Sequence, residues 1–161
     1  MSLTCTLSLA PACDAASIAL LSRNLVEHGL PWRWTPDRIR RCRDDSDYVV
    51  LSARLGNDLV GFGVMQYLPE QAHLCLLGVV PDSRRQGIGA EILNWLEKTA
   101  TVAGIFHVIL EVRGDNRSAE AFYQRRGYIT ERKIRHYYSR GEHALRMTHD
   151  LRKPDLTPAS D

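Results

Sequence analysis

The sequence predicts a mixed α/β domain, a sheet with helices on its faces. Three observations carry this reading. Apolar residues recur at helical spacing near the start, give way to β-prone runs between Tyr48 and Val80, then alternate between helical and extended patterns. Turn-forming groups separate the runs: Gly29-Leu30-Pro31, Gly56-Asn57-Asp58, Pro69-Glu70-Gln71 and Gly104. One apolar run, Leu76 to Val80, passes almost directly into a glycine-marked helix start. With 161 residues the chain can bury a core as one domain without disulfides or metals. That domain is expected over 1–152, with 153–161 a disordered tail.

The elements follow in order. Over 14–28, Ile18, Leu21 and Leu25, widened by Leu20 and Val26, form a helical stripe with Asp14 as N-cap and Gly29 as stop. Thr35 caps a second short helix over 36–43, with Pro36 at its first position. Residues 48–55 and 59–67 read as a hairpin through Gly56-Asn57-Asp58. Residues 73–80 make a third strand, stopped by Pro81. A helix over 87–102 presents Ile88, Ile92, Trp95, Leu96 and Thr99 on one face, and Gly104 ends it.

Residues 106–113 then alternate cleanly. Phe106, Val108, Leu110 and Val112 point one way; His107, Ile109, Glu111 and Arg113 point the other. A short helix over 116–126 is closed by Gly127, and strands over 128–138 and 143–151 complete the order.

Composition excludes several classes. No apolar stretch approaches the roughly 18 residues of a membrane span, so no membrane partner is expected. The start lacks a basic segment followed by a long apolar one, so a cytoplasmic protein is expected. A net charge of +2 without a clustered patch gives no reason to expect nucleic acid. The four cysteines show no CxxC spacing, which suits free thiols, and the six histidines show no metal-ligand spacing, so no metal is expected.

The strongest constellation is Leu76 to Ala90. Gly87 and Gly89 at a strand-to-helix turn let the backbone approach a ligand and expose its N–H groups. Those groups, with the positive helix end and Arg84 and Arg85, suit pyrophosphate oxygens. A tight turn, or a capping box from Ser83 to Gln86, fits the same residues. Two phosphate-loop patterns fail. Gly89-Ala90-Glu91 lacks the Lys-Ser/Thr of a P-loop, and Ile92 stands where a dinucleotide fingerprint needs Gly or Ala.

Arg84-x-x-Gly87-x-Gly89-Ala90 after Val-Val-Pro resembles the acetyl-coenzyme A loop of the GNAT (Gcn5-related) N-acetyltransferase superfamily. The stretch from Leu110 to Tyr128, with Asn116 and Tyr123-x-x-x-Gly127-Tyr128, is similar to that superfamily's second half. Its branch of bacterial ribosomal-protein-alanine N-acetyltransferases shares Leu-Glu-Val-Arg at 110–113 and Pro31-Trp32. Arg135-His136-Tyr137-Tyr138, followed by Glu142 and Ala144, belongs to the same likeness.

The resemblance implies an acyl-CoA N-acyltransferase fold, a mostly antiparallel sheet flanked by helices, with acetyl-CoA as co-substrate and no metal. It implies that the amides of Leu77, Gly78 and Val79 meet the pantetheine arm in a splayed gap between strands. Arg84, Arg85, Gln86, Gly87, Ile88, Gly89 and Ala90 would hold the pyrophosphate. Asn116 would bond the pantetheine, although its side chain equally suits a helix N-cap. Glu111 would be the general base that takes the amine's proton, and Tyr123 the acid that returns one to the leaving thiolate. Plainer roles stand beside these: Glu111 as a solvent-facing strand residue, Tyr123 as core packing.

The acceptor is expected to be a protein N-terminal amine, attacked directly in a ternary complex. A small-molecule amine and a non-catalytic coenzyme A-binding module remain alternatives. Trp32-Arg33-Trp34 and Tyr137-Tyr138 are candidates for lining the acceptor cleft. The protein is expected to be a monomer or homodimer.

Overall fold

A computed structural model describes residues 3–138 and 141–153. Seven strands form one sheet: β1 (Cys5–Leu9), β2 (Tyr48–Leu55), β3 (Asp58–Tyr67), β4 (Ala72–Val79), β5 (His107–Arg113), β6 (Ile129–Ile134) and β7 (Ala144–Asp150). Their order across the sheet is β1-β2-β3-β4-β5-β7-β6. Every pair is antiparallel except β4 with β5. Helices α1 (Ala15–Leu25) and α2 (Pro36–Asp44) cover one face. Helix α3 (Ile88–Val102) covers the other, joined there by Tyr123 of α4 (Arg117–Gln124).

Most elements lie where the sequence places them, and the differences have physical causes. The edge strand β1 escapes the sequence reading: Cys5 to Leu9 alternate apolar and polar, but over only five residues, and Leu9 is 63% exposed. Asp14 precedes α1 but makes no capping bond. Its buried carboxylate instead accepts from Ser52 Oγ at 2.8 Å and from Nη1 of Arg54 at 2.7 Å, tying the start of α1 to β2. Helix α1 stops at Leu25, because Glu27 turns its carboxylate back onto Ser22. Its buried face is Ala15, Ile18, Ala19 and Ser22; Leu20 faces solvent. Thr35 caps α2 as expected, accepting from the Arg38 N–H.

The Ser83–Gln86 capping box does not form. Ser83 ends a 3-10 turn, and Gly87 is the N-cap of α3. Strand β6 ends at Ile134 rather than 138, because His136 takes a left-handed φ of 52° that breaks the extended run. The expected tail beyond Lys153 lies outside the described residues.

Two features of the sheet position the site. The β4–β5 pair is in register only at Ala72↔Val108 and His73↔Ile109, so the strands part beyond His73. Strand β4 also carries a bulge: Leu74 faces Met65 and Leu76 faces Val64, leaving Cys75 as the extra residue. The bulge resets the side-chain phase. Before it, Ala72 and Leu74 join the α3 core; after it, Leu76 joins the α1–α2 core.

Close approach of α3 depends on Gly63 of β3. A Cβ there would lie 2.7 Å from Ile92 Cγ2 and 2.9 Å from Leu96 Cδ1, two fully buried side chains. Gly63→Val is therefore expected to lower unfolding free energy by about 1–3 kcal/mol through overpacking, measured by urea denaturation. Unchanged stability would show that α3 is free to move off the sheet.

Candidate active site

The parted strands open a gap of about 130 Å³ lined by Leu76, Leu77, Leu110, Val112, Asn116 and Tyr123. A second, larger cleft of about 260 Å³ lies beneath the loop that joins α1 to α2, and is lined in part by Arg33, Trp34, Arg38, Gln66, Tyr137 and Tyr138. Cys75, Leu76 and Glu111 border both spaces. The two cavities therefore share a wall, and a carboxylate stands in it.

Backbone geometry makes the gap a donor surface. The Val80 N–H donates to Val60 O at 2.8 Å, so that edge of β4 faces β3. By strand alternation the Gly78 N–H also looks toward β3, and those of Leu77 and Val79 look into the gap. Gly78 serves differently: a Cβ there would lie 2.6 Å from the Phe62 ring.

Beyond β4 the loop combines exposed charge with left-handed backbone. Arg84 Nε donates to Val79 O at 2.9 Å, while Arg85, Gln86 and Gly87 are exposed. Arg85 and Gly87 have φ of 64° and 80°, the left-handed sense from which concave N–H arrays are built. Ile88, Gly89 and Ala90 open α3, where helix geometry supplies no acceptor for their N–H groups. The first N–H with a helical partner is that of Glu91, donating to Gly87 O at 3.0 Å. Of the two loop glycines, Gly87 is required by its φ; a Cβ on Gly89 would make only ordinary contact with Phe122.

Glu111 is not a solvent-facing residue. Its side chain is 6% exposed, with Oε2 2.6 Å from His73 Nε2 and Oε1 accepting from Arg146 Nη2 at 2.6 Å. Burial alone would raise its pKa, but His73 and Arg146 outweigh burial and hold it below the ordinary carboxylate value. His73 is pushed up to about 10 by the Cys75 sulfur and the Glu111 carboxylate, against the opposing effect of burial.

Tyr123 packs edge-on between Phe122 and Tyr128, with ring centroids at 5.1 and 5.6 Å, and also lines the gap. Burial raises its phenol pKa, so it stays protonated at neutral pH. Asn116 does cap α4, accepting from the Ala119 N–H at 3.1 Å, and it borders the gap at the same time.

Several cleft residues were not singled out by the sequence. Glu27 accepts from the backbone N–H groups of Arg33 and Trp34 at 2.8 and 3.2 Å, holding the cleft's roof loop. Arg113 donates from Nη2 to His28 O at 2.6 Å, closing the same loop onto β5. His73 and Arg146 lie on neighbouring strands and become visible only once the sheet order is known. Arg33, Trp34, Tyr137 and Tyr138 line the cleft as the sequence suggested. Trp32 instead packs outside it, donating to Ala19 O at 3.2 Å. Among the described residues no three His, Cys, Asp or Glu side chains group as metal ligands, and no helix is long and apolar enough to cross a membrane.

Residues 18–128 match the acetyltransferase (GNAT) family. The chain belongs to that family. It is 34% identical over 82 residues to the N-terminal acetyltransferase B complex catalytic subunit naa20 of Schizosaccharomyces pombe. That match spans 51% of this chain and 46% of the relative, about half the relative's length. It is 27% identical over 111 residues to the [ribosomal protein bS18]-alanine N-acetyltransferase of Escherichia coli, covering 69% of this chain and 73% of that one.

The fold agrees with these matches. The crystal structure of the Escherichia coli ribosomal-protein-S18-alanine N-acetyltransferase superposes with a TM-score of 0.80 at 24% identity, covering 96% and 98% of the two chains. Arabidopsis thaliana NAA60 in complex with acetyl-CoA gives 0.81 at 16% identity, covering 93% and 100%. The mixed sheet flanked by helices is thus the fold of this acetyltransferase family.

The His73–Glu111 pair makes a stability prediction. Glu111 contributes fully above its ordinary value of 4.5 and loses its contribution as pH falls through the depressed folded value. His73 contributes fully below its ordinary value of 6.5 and loses its contribution as pH rises toward about 10. Thermal unfolding is therefore expected to show a Tm plateau between pH 4.5 and 6.5. The alkaline fall should flatten in His73→Gln, and an identical alkaline slope in the variant would place the cause elsewhere.

Proposed function

We propose that this chain transfers the acetyl group of acetyl-CoA to the N-terminal α-amine of a peptide or protein, by direct attack in a ternary complex. The observation that carries the reading is the shared wall: a buried carboxylate, Glu111, borders both the strand gap and the acceptor cleft. A thioester held in one space meets an amine held in the other at that residue. The naming of relatives as acetyltransferases of protein N-termini supports the choice of acceptor.

The residues fit acetyl-CoA by their chemistry. Leu77 and Val79 offer N–H groups into the gap as a strand partner would, and either can steady charge on the thioester oxygen. The backbone from Arg85 through Ala90, with the guanidinium of Arg84, offers donors and positive charge to a pyrophosphate. Asn116 stands where its amide can meet the pantetheine while its Oδ1 keeps the α4 cap.

On this reading Glu111 draws the α-ammonium into the cleft and accepts its proton, directly or through water. The need is real, because only the unprotonated amine attacks, and its reference pKa is about 7.7–8.0. Tyr123, kept protonated by burial, supplies the proton to the departing thiolate. Tyr137 and Tyr138 flank the entering peptide.

Thiol release from acetyl-CoA, followed with short peptides bearing free Ala, Ser, Met or Gly N-termini and with a panel of small amines, tests the proposal. Turnover is expected on a peptide, with Glu111→Gln and Tyr123→Phe each reducing kcat by about 10²-fold or more. Turnover confined to small amines would keep the chemistry and reject the acceptor. Binding of acetyl-CoA without turnover on any amine would reject catalysis.

A further inference from the structure

The direct route leaves one nucleophile in the shared wall unused. Cys75 is the extra residue of the β4 bulge, and it borders both the strand gap and the acceptor cleft. Its Sγ lies 3.9 Å from His73 Nδ1 and 3.5 Å from the His73 carbonyl oxygen. The other ring nitrogen of His73, Nε2, lies 2.6 Å from Glu111 Oε2. A thiol beside an imidazolium, itself held through its far nitrogen by a carboxylate, is an arrangement that activates a weak nucleophile.

The protonation state follows from the partners. His73 donates its Nε2–H to Glu111 and, with its raised pKa, carries a second proton on Nδ1, which faces the Cys75 sulfur. The other thiols lack this setting. Cys42 is buried, Cys13 is exposed and Cys5 packs against the α3 core; none of them borders either cavity.

We propose that Cys75 is a second acetyl acceptor, taking the group from acetyl-CoA as S-acetyl-Cys75 when no amine fills the cleft. This rests on the donor assigned above. The Cys75 sulfur attacks the thioester carbonyl, forming a new carbon–sulfur bond as the bond to the coenzyme A sulfur breaks. The sulfur attacks as a thiolate beside the His73 imidazolium, its own proton released to water. The Nδ1–H of His73 then protonates the departing thiolate, and His73 regains a proton from water. One thioester replaces another, so the exchange needs no further reactant and runs backward in excess coenzyme A. The chain thereby gains an amine-independent self-acetylation, and the acetyl group on Cys75 narrows the junction through which an amine must reach Glu111.

The full chain, incubated with acetyl-CoA and no amine, is expected to carry one acetyl group on Cys75 by peptide mass mapping. Excess coenzyme A should discharge it, Cys75→Ala should not form it, and His73→Gln should slow its formation by about 10²-fold. Without acetyl-CoA, iodoacetamide is expected to alkylate Cys75 faster than Cys5 or Cys42, an advantage lost in His73→Gln. Equal alkylation of Cys75 in the two proteins overturns the inference, as does an acetyl group found only on exposed Cys13. Peptide acetylation by the same preparation with no adduct on Cys75 overturns the inference alone. If neither reaction occurs, the proposed function falls as well.

Discussion

The site depends on a sheet that is joined at one end and open at the other. Two register pairs hold β4 to β5, at Ala72 and His73, and beyond them each strand has one covered edge and one free edge. Free backbone donors inside a fold are costly unless something binds them. By strand alternation the amides of Leu77 and Val79 point into the gap, where the proposed function has an extended chain complete the ladder. The antiparallel neighbours keep the gap from closing. Strand β3 fixes β4 through Val79, and β7 fixes β5 along its whole length from His107 to Arg113.

The bulge at Cys75 serves the same end by changing which side chains face which layer. Without it, strand alternation would carry the phase of Ala72 and Leu74 through to Leu76 and place that leucine against α3. With it, His73, Cys75 and Leu76 all turn toward the α1–α2 side, where the roof loop hangs. That loop is held by polar anchors as well as by packing. Glu27 collects two backbone N–H groups, and Arg113 reaches across to the His28 carbonyl. Cleft geometry thus rests on interactions between residues far apart in the chain.

This separation marks what was legible in the sequence. Local pattern located α1, α2, α3, α4 and six of the seven strands, because each carries its own period or its own stop signal. It located the glycine-marked turn into α3 for the same reason: Gly87 and Gly89 sit at a strand-to-helix turn within a few residues of Arg84 and Arg85. It did not separate the roles of those glycines, which φ decides, nor see that Gly78 makes room for Phe62. Asp14 looked like a helix cap because a cap and a buried ion-pair acceptor use the same side chain. The partners that decide between them, Ser52 and Arg54, are 38 and 40 residues away. His73 and Arg146 were hidden in the same way. Only the order β4-β5-β7 brings them to either side of Glu111.

Those two partners constrain the chemistry assigned to Glu111. Both its oxygens are engaged, and a carboxylate held below its ordinary value is a weaker base than a free one. Proton affinity alone would therefore make it a poor match for an α-ammonium. Charge makes it a better one. His73 with its raised pKa and Arg146 each bring positive charge, and Glu111 offsets part of it at the point where, on the proposed function, the ammonium enters. An ammonium that settles beside this cluster is pressed by its cationic neighbours, which lowers its own pKa toward the neutral amine. On the proposed function the cluster thus helps by easing deprotonation of the guest as well as by supplying Glu111, which takes the proton directly or through water.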